Sequence, residues 1–185
     1  MEAEVKAHPQ AGKRRVEVYR AADAIDMAVS GMRDGLPIRS DDTALALARN
    51  REAGIDAGFT SNLLFRQENA FSILILWVKP NYPLARHSHD SDCLYYVASG
   101  SIQMGTETLK VGDGFFVPAD ALYVYSGGPE GAEVLEIRYG VNKIKTTIPD
   151  VPAKAWDTAL DAVRTNVAQW REMTVSPTFA ANMAP

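Results

Sequence analysis

The chain of 185 residues carries three histidines (His8, His87 and His89) and one cysteine, Cys93. One cysteine cannot build a zinc finger or a disulfide framework. His8 lies in a charged N-terminal stretch, so a metal site must rest on His87 and His89 plus ligands of other types. The run Pro83-Leu-Ala-Arg-His87-Ser-His89-Asp-Ser-Asp-Cys93 is the most informative in the sequence. Positions two apart on a strand face the same side. His87 and His89 can therefore converge on one ion, within the ~2.0–2.2 Å that imidazole ligation needs. A third and fourth ligand could be the Cys93 thiolate, which would favour softer metals, the Tyr123 phenolate, a nearby carboxylate or water, although Asp90 and Asp92 beside Cys93 oppose a thiolate. The plainer expectation for a free cysteine is a small buried hydrophobe. Tyr95 shares the face of Cys93, and Tyr125 shares that of Tyr123. Three phenols lining one cavity could bond a substrate oxygen or act as general acid or base. Their plainer reading is aromatic packing.

Those residues sit in a segment that reads as β. From Gly58 to Gly140 short β-prone runs alternate with turn residues, which argues for a sandwich or barrel. The expected strands are Asn62–Arg66, Phe71–Val78, Cys93–Ala98, Ile102–Met104, Thr108–Val111, Phe115–Val117, Leu122–Tyr125 and Val134–Tyr139. Gly127-Gly128-Pro129 reads as a turn. So does Gly112-Asp113-Gly114, which precedes a strand and cannot be a phosphate loop at a helix N-terminus. The alternation Val134-Leu135-Glu136-Ile137-Arg138 has one apolar and one charged face. The apolar face is expected inward, which leaves Glu136 and Arg138 on the surface.

Helices are expected on both sides. Ile25, Ala28, Val29 and Met32 fall at i, i+3, i+4 and i+7, the spacing of a helix face. Ser40 or Asp41 can cap a second helix from about Asp42 to Ala53, closed by Gly54. After the β segment, Trp156, Leu160, Val163, Val167 and Trp170 form a stripe on a helix from about Ala153 to Met173. That stripe should dock on the chain's own barrel or on a neighbouring subunit. The division is 1–57 for an N-terminal arm and helices, 58–148 for the barrel, and 149–185 for a C-terminal helix and a loose tail.

Composition narrows the function. Hydrophobic residues make up 46% and charged residues 23%, enough for one globular core. The net charge of −4 argues against a nucleic-acid partner. The apolar run Ile73–Val78 is too short to span a bilayer, and the charged N-terminus lacks the apolar stretch of a secretory signal. With one unpaired cysteine, the expectation is a cytoplasmic protein that takes a small-molecule ligand or substrate.

The wider pattern resembles the cupin superfamily over roughly residues 71–140. The first cupin motif is G-x5-H-x-H-x3,4-E-x6-G. His87, His89 and Gly100 match it, Cys93 stands where the glutamate belongs, and Asn81 stands at the opening glycine. The second motif is G-x5-P-x-G-x2-H-x3-N. Gly112 and Pro118 match it, while Asp120, Tyr123 and Gly127 replace its glycine, histidine and asparagine. The resemblance implies a mainly β fold, a cupin-type β-barrel (jelly roll) with two N-terminal helices and one C-terminal helix, assembled as a homodimer. It also implies a divalent metal (iron, zinc, manganese or nickel) on His87, His89 and Cys93, and no organic cofactor. Tyr123, at the position of the missing histidine, is the leading catalytic candidate, with Tyr95 and Tyr125 beside it. The resemblance to thiol dioxygenases, cupins with a cysteine near this position, stops at their third histidine, which this chain lacks. Three functions follow: a metal-dependent oxygenase, lyase or isomerase; a metal-free acid–base catalyst using His and Tyr; or a non-catalytic binding protein.

Overall fold

The computed structural model describes residues 16–140 and 143–179. The expected arm at residues 1–15 and the last residues of the tail lie outside them. The elements in chain order are β1 (Ile25–Asp26), α1 (Asp41–Ala53), β2 (Phe59–Arg66), β3 (Phe71–Val78), β4 (Ser88–His89), β5 (Cys93–Met104), β6 (Glu107–Lys110), β7 (Gly114–Val117), β8 (Ser126–Tyr139), β9 (Thr146–Thr147) and α2 (Ala153–Glu172). Seven strands form one antiparallel sheet in the order β1-β2-β3-β8-β5-β6, with β7 also paired to β5. The short β4 and β9 pair only with each other. Among the described residues the ladders end at β1 on one side and at β6 and β7 on the other, and none closes the sheet into the expected barrel. The segment 82–89 meets 123–126 through bridges Pro83–Ser126 and His87–Tyr123.

The strand expectations hold where a β-prone apolar run is continuous, as at β3. They fail where turn residues are absorbed into long strands. Ser99-Gly100 lies inside β5, and Gly127-Gly128-Pro129 lies inside β8. Bulges between Val97 and Ser99 and between Gly100 and Ile102 bend β5 while it stays paired to β8. Gly100 has φ +67°, and a Cβ there would come within 2.0 Å of the Gly131 carbonyl oxygen. The strands cross too closely for any side chain, which accounts for the glycine that matches the cupin motif. Leu122–Tyr125 is not a ladder strand. It holds only the Tyr123 bridge and the Leu84 amide bond to the Tyr125 carbonyl, 3.2 Å.

The first expected helix is absent. Ile25 pairs with Leu63 at the sheet edge, and the Met27 amide donates to the Ser61 carbonyl at 2.9 Å. The Asp26 carboxylate accepts from the Ala28 amide at 2.7 Å, a local turn that competes with helix initiation. Of the four residues on the supposed face, only Met32 is buried. The helical spacing is therefore incidental. The second helix forms as expected: the Ser40 hydroxyl accepts from the Thr43 amide at 3.2 Å, and Gly54 caps it at φ +100°.

Helix α2 buries Trp156, Leu160, Val163 and Trp170 within its own chain. A buried ammonium secures its end. Lys79, after β3, donates from Nζ to the carbonyls of Trp170 and Met173, both at 2.6 Å. A cation at a helix C-terminus meets the unsatisfied carbonyls and the negative end of the helix dipole. The Trp170 indole donates in turn to the Pro80 carbonyl at 2.8 Å. The expected loose tail is anchored in its described part. Buried Glu133 accepts from the Thr178 amide (2.8 Å) and hydroxyl (2.6 Å). A buried carboxylate requires such donors, and this need holds the chain after α2. Lys79→Met should lower unfolding free energy by about 2–4 kcal/mol through loss of two charge-assisted bonds. Urea denaturation measures it, and an unchanged midpoint would refute the anchoring role.

Candidate functional site

The inward face of the sheet is built from three neighbouring strands. Register places Arg138 between Ser72 of β3 and Cys93 of β5, and Glu136 between Leu74 and Tyr95. Arg138 is 2% exposed and Glu136 5%, and the two form an ion pair. The expectation that they lie on the surface is wrong. Leu135 and Ile137 face outward, half-buried, while the charged alternates line a cavity. Apolar residues point inward when the interior is dry; here the interior is a polar site, and residues at i and i+2 neutralise each other on it. That Glu-x-Arg spacing on a strand is the signal that could have revealed them.

The cavity holds about 260 Å³ and is bordered by β2, β3, β8 and the segment 82–89. His87 and His89 both project into it, as does Tyr123. Their rings are close: His87 and His89 centroids lie 4.8 Å apart, and His87 and Tyr123 4.4 Å. His87 Nδ1 lies 2.7 Å from the Ala85 carbonyl. A carbonyl only accepts, so Nδ1 carries the proton and Nε2 keeps its lone pair. His89 Nδ1 lies 3.1 Å from the Thr146 hydroxyl on β9, and Nε2 lies 3.1 Å from the Tyr123 hydroxyl. The Tyr123 and Tyr95 hydroxyls share a bond of 2.6 Å. A hydrogen-bonded line thus runs Thr146–His89–Tyr123–Tyr95. Tyr125 also borders the cavity, with its ring 6.3 Å from that of Tyr123.

The electrostatics follow from burial. Desolvation, helped by Arg138, lowers the His87 pKa to about 4 against the bond to Ala85. Desolvation, Arg138 and His87 lower that of His89 to about 2. Both imidazoles are neutral at pH 7. Desolvation and then Glu136 raise Tyr95, Tyr123 and Tyr125 above the usual phenol range, so all three keep their protons.

Cys93 is brought beside this group on the inward face but does not line the cavity. Its thiol donates to the Ser91 carbonyl at 3.3 Å, and its sulfur accepts from Arg138 Nε at 3.1 Å. Burial raises its pKa despite Arg138. The donor set that the cupin resemblance implies is therefore divided. One imidazole has both nitrogens engaged, the thiol is bonded to a guanidinium, and that guanidinium places a cation near both histidines. Among the described residues, no three or more His, Cys, Asp or Glu side chains converge as a metal would require. His87, His89 and Cys93 as arranged do not fit a divalent ion.

Comparison with known proteins finds similarity to solved structures alone. No family model matches the chain, and no curated protein matches it. Solved structures similar to it are cupin-like. The polyketide cyclase RemF from Streptomyces resistomycificus is 18% identical over 58% of this chain and 82% of its own, with a TM-score of 0.48. KdgF from Halomonas sp. is 15% identical, covering 45% and 79%, with a TM-score of 0.42. An RmlC-like cupin from Shewanella frigidimarina is 20% identical, covering 46% and 78%, with a TM-score of 0.41. The described chain itself is mainly antiparallel sheet with a C-terminal helix. No helix among the described residues is long and apolar enough to cross a membrane.

Neutral buried histidines make stability depend on acid. The unfolded chain takes up protons near the ordinary histidine pKa of 6.5, whereas the folded chain refuses them until about 4 at His87 and about 2 at His89. Stability is complete above pH 6.5 and is lost as pH falls below it. The thermal midpoint should drop between pH 6.5 and 5, above the main carboxylate range. The double variant His87→Gln/His89→Gln should flatten that slope, and an equal slope in both proteins would contradict the pKa order.

Proposed function

We propose that the chain is a metal-free acid–base enzyme that moves a proton on a small organic molecule held in the cavity. The observation that carries this reading is the free lone pair of His87 Nε2. The Ala85 carbonyl fixes its tautomer, and burial keeps it unprotonated. A neutral imidazole with one nitrogen facing a substrate cavity is a general base. Tyr123 supplies the complementary group: a phenol that keeps its proton and can turn it from His89 toward a substrate oxygen. Tyr95 holds the phenolic oxygen in place from behind. Such a pair suits proton abstraction next to a carbonyl, with the developing oxyanion bound by Tyr123. The reaction class is isomerisation, elimination or ring closure without change of oxidation state.

The test is hydrogen–deuterium exchange at carbon, followed by proton NMR in D2O, over a panel of ketones, β-hydroxy acids and β-keto acids. The protein is stripped with chelator first. Exchange should survive chelation and fall by roughly 10²–10⁴-fold in His87→Gln, as for loss of a positioned base. Activity that vanishes with chelator and returns with metal would restore the metal-dependent reading. Binding without exchange on any panel member would leave a binding protein.

We also propose a homodimer through the outer sheet face. Phe116, Leu94, Ile137, Ile73 and Phe65 are register partners in one row across five strands. Leu94 is 49% exposed and Phe116 57%, whereas the α2 stripe is used within the chain. Contiguous exposed apolar rows of this kind mark interaction surfaces. Light scattering should give twice the chain mass, and Leu94→Glu should give a monomer. A monomeric parent protein would dismiss the proposal.

A further inference from the structure

The cavity has two chemically different ends, and the strands give their separation. At one end Arg138 faces Ser72; at the other Phe59 faces Val78. From Ser72 to Val78 a strand rises about 20 Å. The segment 82–89 lies along the same axis in the opposite direction, from Tyr82 beside Phe59 to the histidines. The Gly127 amide bonds the Tyr82 carbonyl, the Leu84 amide bonds the Tyr125 carbonyl, and His87 and Tyr123 exchange backbone bonds. The buried floor therefore holds His87, His89, Tyr123, Glu136 and Arg138. The apolar part of the lining is Leu74, Leu76, Leu84, Ile144 and Ile148. The far end carries Arg33, Arg51 and Asp56, the exposed members of the lining apart from Gly35. They form the rim.

The rim has a net charge of +1 from two arginines and one aspartate. Neither arginine forms an ion pair among the described residues; the nearby Asp34 is taken by Lys143 at 3.7 Å. Arg33 and Asp56 also line a second hollow that continues the cavity past Phe59 and Tyr82. Floor, wall and rim together define a ligand by parts: a polar reacting end, an apolar body and an anionic tail.

Resting on the function proposed above, we infer that the substrate is an amphipathic organic acid. Its carboxylate stays at the rim on Arg33 and Arg51, its apolar body fills the leucine-lined throat, and its far end reaches His87 and Tyr123. A guanidinium binds a carboxylate through two parallel N–H bonds, and two guanidiniums at one mouth select for it over a neutral group of equal shape. Asp56 opposes the same tail, so its charge sets the strength of the preference.

Titration calorimetry with octanoate and octanamide tests this without turnover. Octanoate should bind at least tenfold more tightly than octanamide. Arg33→Gln/Arg51→Gln should remove that preference and leave octanamide affinity unchanged. Asp56→Asn should tighten octanoate several-fold, and added salt should weaken octanoate alone. Equal affinity for the two probes, no binding of either, or an octanoate preference that survives the double variant would each overturn the inference; the last would put the anion on the Arg138 floor. Arginine-dependent octanoate binding in a protein that exchanges no carbon-bound hydrogen would leave this inference standing while the catalytic reading fell.

Discussion

The ion pair between Arg138 and Glu136 is the constraint around which the interior is arranged. Both groups are taken from water, a cost of several kcal/mol per ion that only close pairing and added hydrogen bonds offset. The register supplies most of those terms, although Arg138 Nη1 has no hydrogen-bond partner among the described residues. Two-residue spacing on β8 puts the charges side by side, and the sulfur of Cys93 accepts the Arg138 Nε proton. Without the pair, either charge alone would be stranded in the core. With it, the core tolerates a polar floor.

The same pair governs the reactive groups. The Arg138 cation adds to desolvation in keeping His87 and His89 neutral, and the Glu136 anion adds to desolvation in keeping Tyr95, Tyr123 and Tyr125 protonated. Neutral imidazoles and protonated phenols can then coexist at pH 7, the condition that the proposed proton transfer needs. The cation also works against a second cation bound by the histidines.

The supports at the periphery obey the same rule that buried polar groups must be satisfied. Lys79 answers the carbonyls at the end of α2, and Glu133 holds the segment after it through Thr178. These contacts fix the helix and the tail against the sheet. They leave the exposed face of Leu94 and Phe116 bare, and the charged rim open to solvent.

Some of this was legible in the chain itself. The β-prone apolar run Phe71–Val78 marked β3. Ser40 and Gly54 marked the limits of α1, and the Trp156–Trp170 stripe marked α2. The spacing of His87 and His89 placed both imidazoles on one face, and the motif positions put Tyr123 beside them. These are local properties, set by backbone geometry and by neighbours in sequence. The rest depended on partners far away in the chain. Ile25–Met32 has helical spacing, but the edge of β2 captures Ile25. Glu136 and Arg138 look like surface residues until β3 and β5 close on either side of them. Cys93 looks like a third ligand until Arg138, 45 residues later, takes its sulfur. The sequence determined which side chains share a face. Only tertiary structure decided which face is inside and which atoms are already bonded there, because burial and pairing are set by strands that meet across the fold.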